Sequence, residues 1–341
     1  MTISTSVLQA SGAAPTAWQP RDLAADDSWR YAISPAHLAE LDTALASVRN
    51  QSTPLLQVTR ELFPLPTLGE MLERVAADLE SGYGLAVVQG LPVAHHGRAD
   101  LRTVFWGIGQ HLGIPVSQNS SGQKLTSGAT TDAFASGGSD VQAVLCLATR
   151  HRVSVVSSGA VYREVSSRRP DLADRMFGPW YFDRRGEELP GGAPYYSTPM
   201  ACWSDDKLSV RYARGDIAAA QRHPDVPRLG HAEEELLDLV DDLTSSDAFR
   251  FDIDLEPGDL LLVNNYTTLH STADTGVTDP DRHPLTLWLS LRQGRPLPPN
   301  FLVAGDDHAA GAGRGGIPPR DVIVPSGPVP ARPRDRRLCD H

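Results

Sequence analysis

The chain contains three side chains whose types and spacing could do chemistry together. His270 follows the apolar run Leu260-Leu261-Leu262-Val263, Arg282 comes twelve residues later, and Asp132 sits upstream in Thr130-Thr131-Asp132-Ala133-Phe134. Imidazole and carboxylate are both ligands for a divalent metal. Two histidines and one carboxylate on one face, with open positions left over, form the ligand set of non-haem iron(II) oxygenases. An arginine entering a strand beside a buried histidine can hold a carboxylate through two parallel hydrogen bonds. Taken singly, each residue has a plainer reading: a packed histidine, a surface salt bridge, a turn aspartate. Their meaning depends on the elements that carry them.

Pro257-Gly258 predicts a tight turn between two strands, with the following apolar run delivering Asn264 and Asn265 to its far end. His270 comes next, where its ring can face a cavity. Leu285 to Arg292 reads as the strand that Arg282 enters. Further strands are expected over 84–90, 142–148, 152–157, 208–213 and 249–255. Helices are expected from Pro35, with Leu38, Leu41, Leu45 and Val48 on one stripe, and after a capping box at Thr67-Leu68-Gly69-Glu70. Others span about 100–112, 159–167 and 231–243. Short strands with long connections and helices before and among them predict a mainly β fold, a sandwich or jelly roll with helical cover. Strict strand–helix alternation is absent, which argues against a dinucleotide-binding fold. The organisation expected is a lead-in over 1–30, one domain over 31–303, and a Gly-, Pro- and Arg-rich tail over 304–341.

Composition narrows the function classes. The 341 residues carry a net charge of −11, from 42 acidic and 31 basic residues, with no basic patch for nucleic acid outside the tail arginines. No run approaches the roughly 20 apolar residues of a membrane span. Cys146, Cys202 and Cys339 are isolated, so neither a disulfide framework nor a paired-cysteine zinc site is expected. A cytoplasmic protein with a small-molecule substrate is the expectation, and a homo-oligomer is left open.

Several segments, in order, resemble the TauD/TfdA group, clavaminate-synthase-like, of iron(II)/2-oxoglutarate oxygenases. They are Gly90-Leu91-Pro92-Val93, Phe105-Trp106-Gly107-Ile108-Gly109, and Gly113-Ile114-Pro115-Val116-Ser117-Gln118-Asn119. Arg168 to Leu172, Tyr181 to Gly186, Leu208 to Tyr212 and the Pro-Gly-Asp…Asn-Asn…Leu-His run complete the set. The likeness runs from about Trp18 to Phe301. It implies a double-stranded β-helix core with iron(II) and 2-oxoglutarate as cofactors. In that scheme His270 matches the distal iron histidine, Asp132 the carboxylate of a His-x-Asp pair, and Arg282 the arginine on the far carboxylate of 2-oxoglutarate.

The departures are equally specific. Thr130 stands where the first metal histidine belongs, and a threonine hydroxyl is a poor ligand for iron(II). Thr286 replaces the family's second arginine. His111 and His151 lack the family spacing and read as packing or surface residues, and His95, His96 and His283 are not assigned to metal. Three functions follow. One is an oxygenase with an atypical, weakened iron site, acting in secondary metabolism. Another is a redox-neutral cyclase, lyase or isomerase that uses Asp132 and His270 as acid and base. The last is a non-catalytic relative that binds a small molecule or a partner.

Overall fold

The structure, a computed structural model, describes residues 15–128, 131–272, 279, 282–301 and 314–320, with the side chains of Pro15, Thr131 and Asp132 outside the description. In chain order the elements are β1 Arg30–Ala32, α1 Pro35–Asn50, α2 Pro66–Ser81, β2 Leu85–Gln89, α3 Arg98–Leu112, β3 Ile114–Val116 and β4 Leu125–Ser127. β5 Thr131–Ala135, β6 Val141–Leu145, β7 His151–Ser157 and α4 Ser158–Arg168 follow. Then come β8 Pro179–Asp183, β9 Tyr195–Pro199, β10 Ala201–Ser204, β11 Lys207–Val210 and α5 His231–Ser245. β12 Phe251–Leu255, β13 Leu260–Asn264, β14 Thr268–Thr272 and β15 Leu285–Ser290 close the domain.

Two sheets face each other. The larger runs β1-β2-β13-β6-β15-β3, with β4 also on β15, and the smaller runs β12-β7-β14-β5. Apart from the parallel edge pair of β1 and β2, the pairings within both sheets are antiparallel. This is the jelly roll expected from the sequence, and β8–β9 and β10–β11 add two hairpins.

Alternation along each strand sends successive side chains to opposite faces. Ala86, Val88, Leu260, Leu262, Leu285 and Leu287 of the large sheet turn outward and pack under α1, α2 and α3. α2 buries Leu68, Met71, Leu72, Val75 and Leu79 on one stripe, each worth about 1.5–3 kcal/mol. On the small sheet Val156 and Leu269 turn outward under α4 and α5. The opposite faces, with Val87, Leu261, Val263, Val153, Val155 and Ile253, meet between the sheets.

Two local readings change. The capping box at Thr67 does not form, because the helix starts two residues earlier, at Pro66, with Leu65 as its cap. Instead Glu40 of α1 accepts from the Thr67 and Leu68 amides at 3.0 Å each. A carboxylate at a helix N-terminus meets both the free amides and the positive end of the dipole. The turn at Pro257-Gly258 does form. Gly258 has φ +96°, and a Cβ there would stand 2.3 Å from the Leu91 carbonyl oxygen, so only glycine fits.

Residues 314–320 lie within the stretch read as a tail, yet they pack on the domain. Arg314 is 1% exposed and its Nε donates to Asp140 at 2.7 Å. Asp140 also accepts from the Tyr266 hydroxyl and the Leu291 amide, both at 2.8 Å, so this buried carboxylate is fully satisfied. No helix among the described residues is long and apolar enough to cross a membrane.

Candidate active site

His270 is the middle residue of β14, with Val155 of β7 on one side in register and Ala135 of β5 on the other. Because Leu269 faces the outer helices, alternation turns His270 inward, along with Thr268 and Thr272. It lies within a strand rather than after one. The ring is 4% exposed, and its Nδ1 has no hydrogen-bond partner among the described residues. Burial pushes its pKa from 6.5 down to about 4, which leaves the imidazole neutral at neutral pH. A neutral imidazole with an unsatisfied nitrogen is in the state a metal or a proton-transfer partner requires.

Asp132 belongs to β5, the strand paired with β14. Thr131 stands opposite Thr272 and Ala135 opposite His270, with a register shift between them. The sequence therefore brings Asp132 and His270 onto neighbouring strands of one sheet; the Asp132 side chain lies outside the described residues, as does Thr130. The register shift spreads five residues of β5 over three of β14, a bulge of the kind that re-aims side chains beside active sites. Among the described residues no group of three or more His, Cys, Asp or Glu side chains is arranged to hold a metal ion.

Arg282 does not reach the interior. It is exposed, in the turn that leads to β15, and its amide donates to the Asp279 carbonyl at 3.0 Å. Thr286 does: it is 2% exposed, on the inward face of β15, opposite Val144 and Thr126. Thr126 is tied in through Gln118, which accepts from the Thr126 hydroxyl at 2.9 Å and donates to the Thr286 carbonyl at 2.9 Å. Asn264 and Asn265 serve as braces. Asn264 donates to the Leu79 carbonyl at 2.9 Å. Asn265 donates to the Ser139 carbonyl and accepts from the Gly137 amide, each at 2.9 Å, which pins the connection between β5 and β6.

Arg211, on the chain just after β11, is buried. It donates to the Tyr196 hydroxyl at 3.1 Å and to the Ser136 carbonyl, while its guanidinium lies 5.3 Å over the Phe182 ring. It holds the backbone just beyond β5 in place. His111 is also buried, with Nε2 2.8 Å from the Phe63 carbonyl. It borders a cleft of about 530 Å³ with Arg60, Glu73, Glu80 and Arg292. That cleft lies on the helix-covered side of the large sheet, away from His270.

His151 is the side chain that spacing alone did not single out. It opens β7, is 2% exposed, and neither ring nitrogen has a partner among the described residues. The available signal was the alternation His151, Val153, Val155, which places it on the inward face.

The profile described as "Taurine catabolism dioxygenase TauD, TfdA family" matches residues 153–288. FR-33289 synthase of Streptomyces rubellomurinus is 28% identical over 311 residues, covering 82% of this chain and 91% of the relative. The taurine hydroxylase-like protein SAT17 of Stachybotrys chartarum is 23% identical over 285 residues, covering 75% and 72%. In fold, the chain is similar to an asparagine oxygenase solved with Fe(II), 2S,3S-3-hydroxyasparagine and succinate. That match has a TM-score of 0.58 at 16% identity, over 76% of this chain and 93% of that one. It is also similar to the non-heme iron oxygenase OrfP solved with Fe, succinate and (3S)-hydroxy-L-Arg, with a TM-score of 0.56 at 13% identity, over 77% and 95%. The jelly roll, the profile match over residues 153–288 and these relatives agree: the chain is similar to the TauD/TfdA family.

Proposed function

We propose that the protein is an iron(II)/2-oxoglutarate-dependent oxygenase of secondary metabolism, acting on a small molecule through a metal centre short of one histidine. The supporting observation is the inward, neutral His270 with an unpartnered nitrogen, on the strand next to the one that carries Asp132. These residues fit a metal. His270 and Asp132 would hold iron(II), and Arg282 would meet the far carboxylate of 2-oxoglutarate by moving in from its exposed turn. When bound, iron(II) with 2-oxoglutarate and oxygen supplies the oxidising power for attack on an unactivated C–H bond. Thr130 in the place of the first histidine weakens metal affinity by more than the roughly 10- to 100-fold typical of losing an outer partner. The chain's own work is to keep His270 neutral, to shield the centre between two sheets, and to orient both small molecules. One similar protein is named for asparagine and another for taurine, and OrfP was solved with (3S)-hydroxy-L-Arg, so an amino acid or natural-product intermediate is the substrate class proposed.

Thr130 also favours a second reading, a redox-neutral reaction with His270 as base and Asp132 as acid. One experiment separates the two: follow succinate formed from 2-oxoglutarate with iron(II) and oxygen, then repeat with chelator and without oxygen. The oxygenase forms succinate only in the first condition. Substrate turnover that persists in the second, without succinate, overturns the oxygenase reading.

A further inference from the structure

Buried polar groups in folded proteins are nearly always satisfied, and one left without a partner is a sign of strain or of a missing ligand. His151 is an extreme case, 2% exposed with both Nδ1 and Nε2 unpartnered among the described residues. Burial alone pushes its pKa down, so the ring stays neutral and offers one N–H donor and one acceptor to the interior.

Its position gives those atoms a target. His151, Val153 and Val155 share the inward face of β7, and His270 stands beside Val155. Four residues of strand plus one step between strands put the two histidine Cα atoms about 14 Å apart. Two nitrogens on one ion lie within roughly 4 Å of each other, so His151 is no substitute for the histidine missing at Thr130. The separation instead suits an elongated ligand held at both ends. The end carbons of a five-carbon diacid are about 5 Å apart. A metal–nitrogen bond at one end and a hydrogen bond of about 2.8 Å at the other make up much of the remaining distance.

His151 also sits at the right end of the sandwich. Its register partner is Leu255, whose carbonyl receives the Cys146 thiol at 3.7 Å. Cys146 follows β6 directly, and Leu145 at the end of β6 faces Leu285 at the start of β15, three residues after Arg282. His151 and the turn bearing Arg282 therefore flank the same end of the barrel, one buried and one exposed.

We propose that His151 is a positioning residue for the co-substrate, donating a hydrogen bond to the distal carboxylate of a 2-oxo diacid whose other end lies at His270. This rests on the oxygenase reading above.

The test is binding without oxygen, by calorimetry on the full chain with iron(II), using two probes: 2-oxoglutarate, and 2-oxopentanoate, which has the same chain length and no distal carboxylate. Wild type is expected to prefer 2-oxoglutarate. His151→Leu should weaken 2-oxoglutarate at least tenfold, leave 2-oxopentanoate unchanged, and raise the melting temperature of the ligand-free protein by removing two unsatisfied nitrogens. His151→Gln, which keeps a donor, should retain part of the preference and guards against a Leu variant that fails to fold. Unchanged 2-oxoglutarate binding in both variants, or an equal loss for both probes, overturns the role of His151. If wild type binds both probes equally, the oxygenase reading stands and the proposal falls. If wild type binds neither, both fall.

Discussion

The space between the two sheets divides into two unlike halves. Toward β1 and β12 it is filled by Val87, Leu261, Val263, Val153 and Ile253 and closed by Trp18 and Trp29. Trp29 is 3% exposed, donates to the Leu23 carbonyl at 3.2 Å and meets Phe251 edge-on at 6.0 Å. Toward β5 and β15 the same sheets turn Thr268, His270, Thr272, Thr286 and Ser290 inward, with the Ser290 hydroxyl and His270 Nδ1 unpartnered among the described residues. One backbone architecture thus supports an apolar half that stabilises and a polar half that gives up stability. Unsatisfied buried groups cost about 1–3 kcal/mol each, and natural proteins keep such costs chiefly where function needs them.

Substitutions on the two sides should therefore act in opposite ways. His270→Leu is expected to have the largest functional effect, reducing turnover below detection while leaving the ligand-free melting temperature unchanged or higher. Trp29→Ala should do the reverse, costing about 3–5 kcal/mol in denaturant unfolding with metal affinity retained in the folded fraction. If both substitutions lower stability alike, the division into halves is wrong.

Acid should act through the polar half. His270 has a folded pKa of about 4 against an ordinary 6.5, so below pH 6.5 the unfolded chain takes up a proton that the folded chain refuses. Stability is full above 6.5, falls as pH drops from there to 4, and stays low beneath it, a loss of about 3 kcal/mol for this residue. His111 and His151, also shifted down by burial, add to it in the same direction. Urea unfolding at pH 7 and pH 4 should show the loss in wild type and a smaller one in His270→Leu.

Thr130→His should raise iron(II) affinity at least tenfold in anaerobic titration, and no gain would mean the pocket itself has been remodelled. The smallest effect lies outside both halves: Glu40→Ala, which uncaps α2, should cost about 1 kcal/mol in unfolding without changing metal binding.

The sequence was most legible where faces are apolar. The stripes of α1, α2 and α5 and the strand after Gly258 follow directly from period and turn chemistry. β14 was missed as a strand because its inward face is Thr268, His270 and Thr272, polar residues that break the hydrophobic alternation used to find strands. The feature that hid the strand is the one that marks the candidate site. β8 and β9 were missed for another reason: proline and glycine surround them, and the aromatic alternation of Trp180 with Phe182 is only two residues deep. Arg314 could not be read at all, since its partner Asp140 is 174 residues away in the chain. Of the candidate site, the sequence made His270 legible as a residue beside an apolar strand, and its inward setting came from the structure. The exposure of Arg282 and the isolation of His151 depend on side-chain packing that no spacing encodes.

The most direct measurement is an anaerobic iron(II) titration, with and without 2-oxoglutarate, of wild type and His270→Leu. A polar half built around His270 predicts one iron per wild-type chain, tighter with 2-oxoglutarate present, and neither binding nor enhancement in the variant. Equal iron binding by both proteins would contradict it.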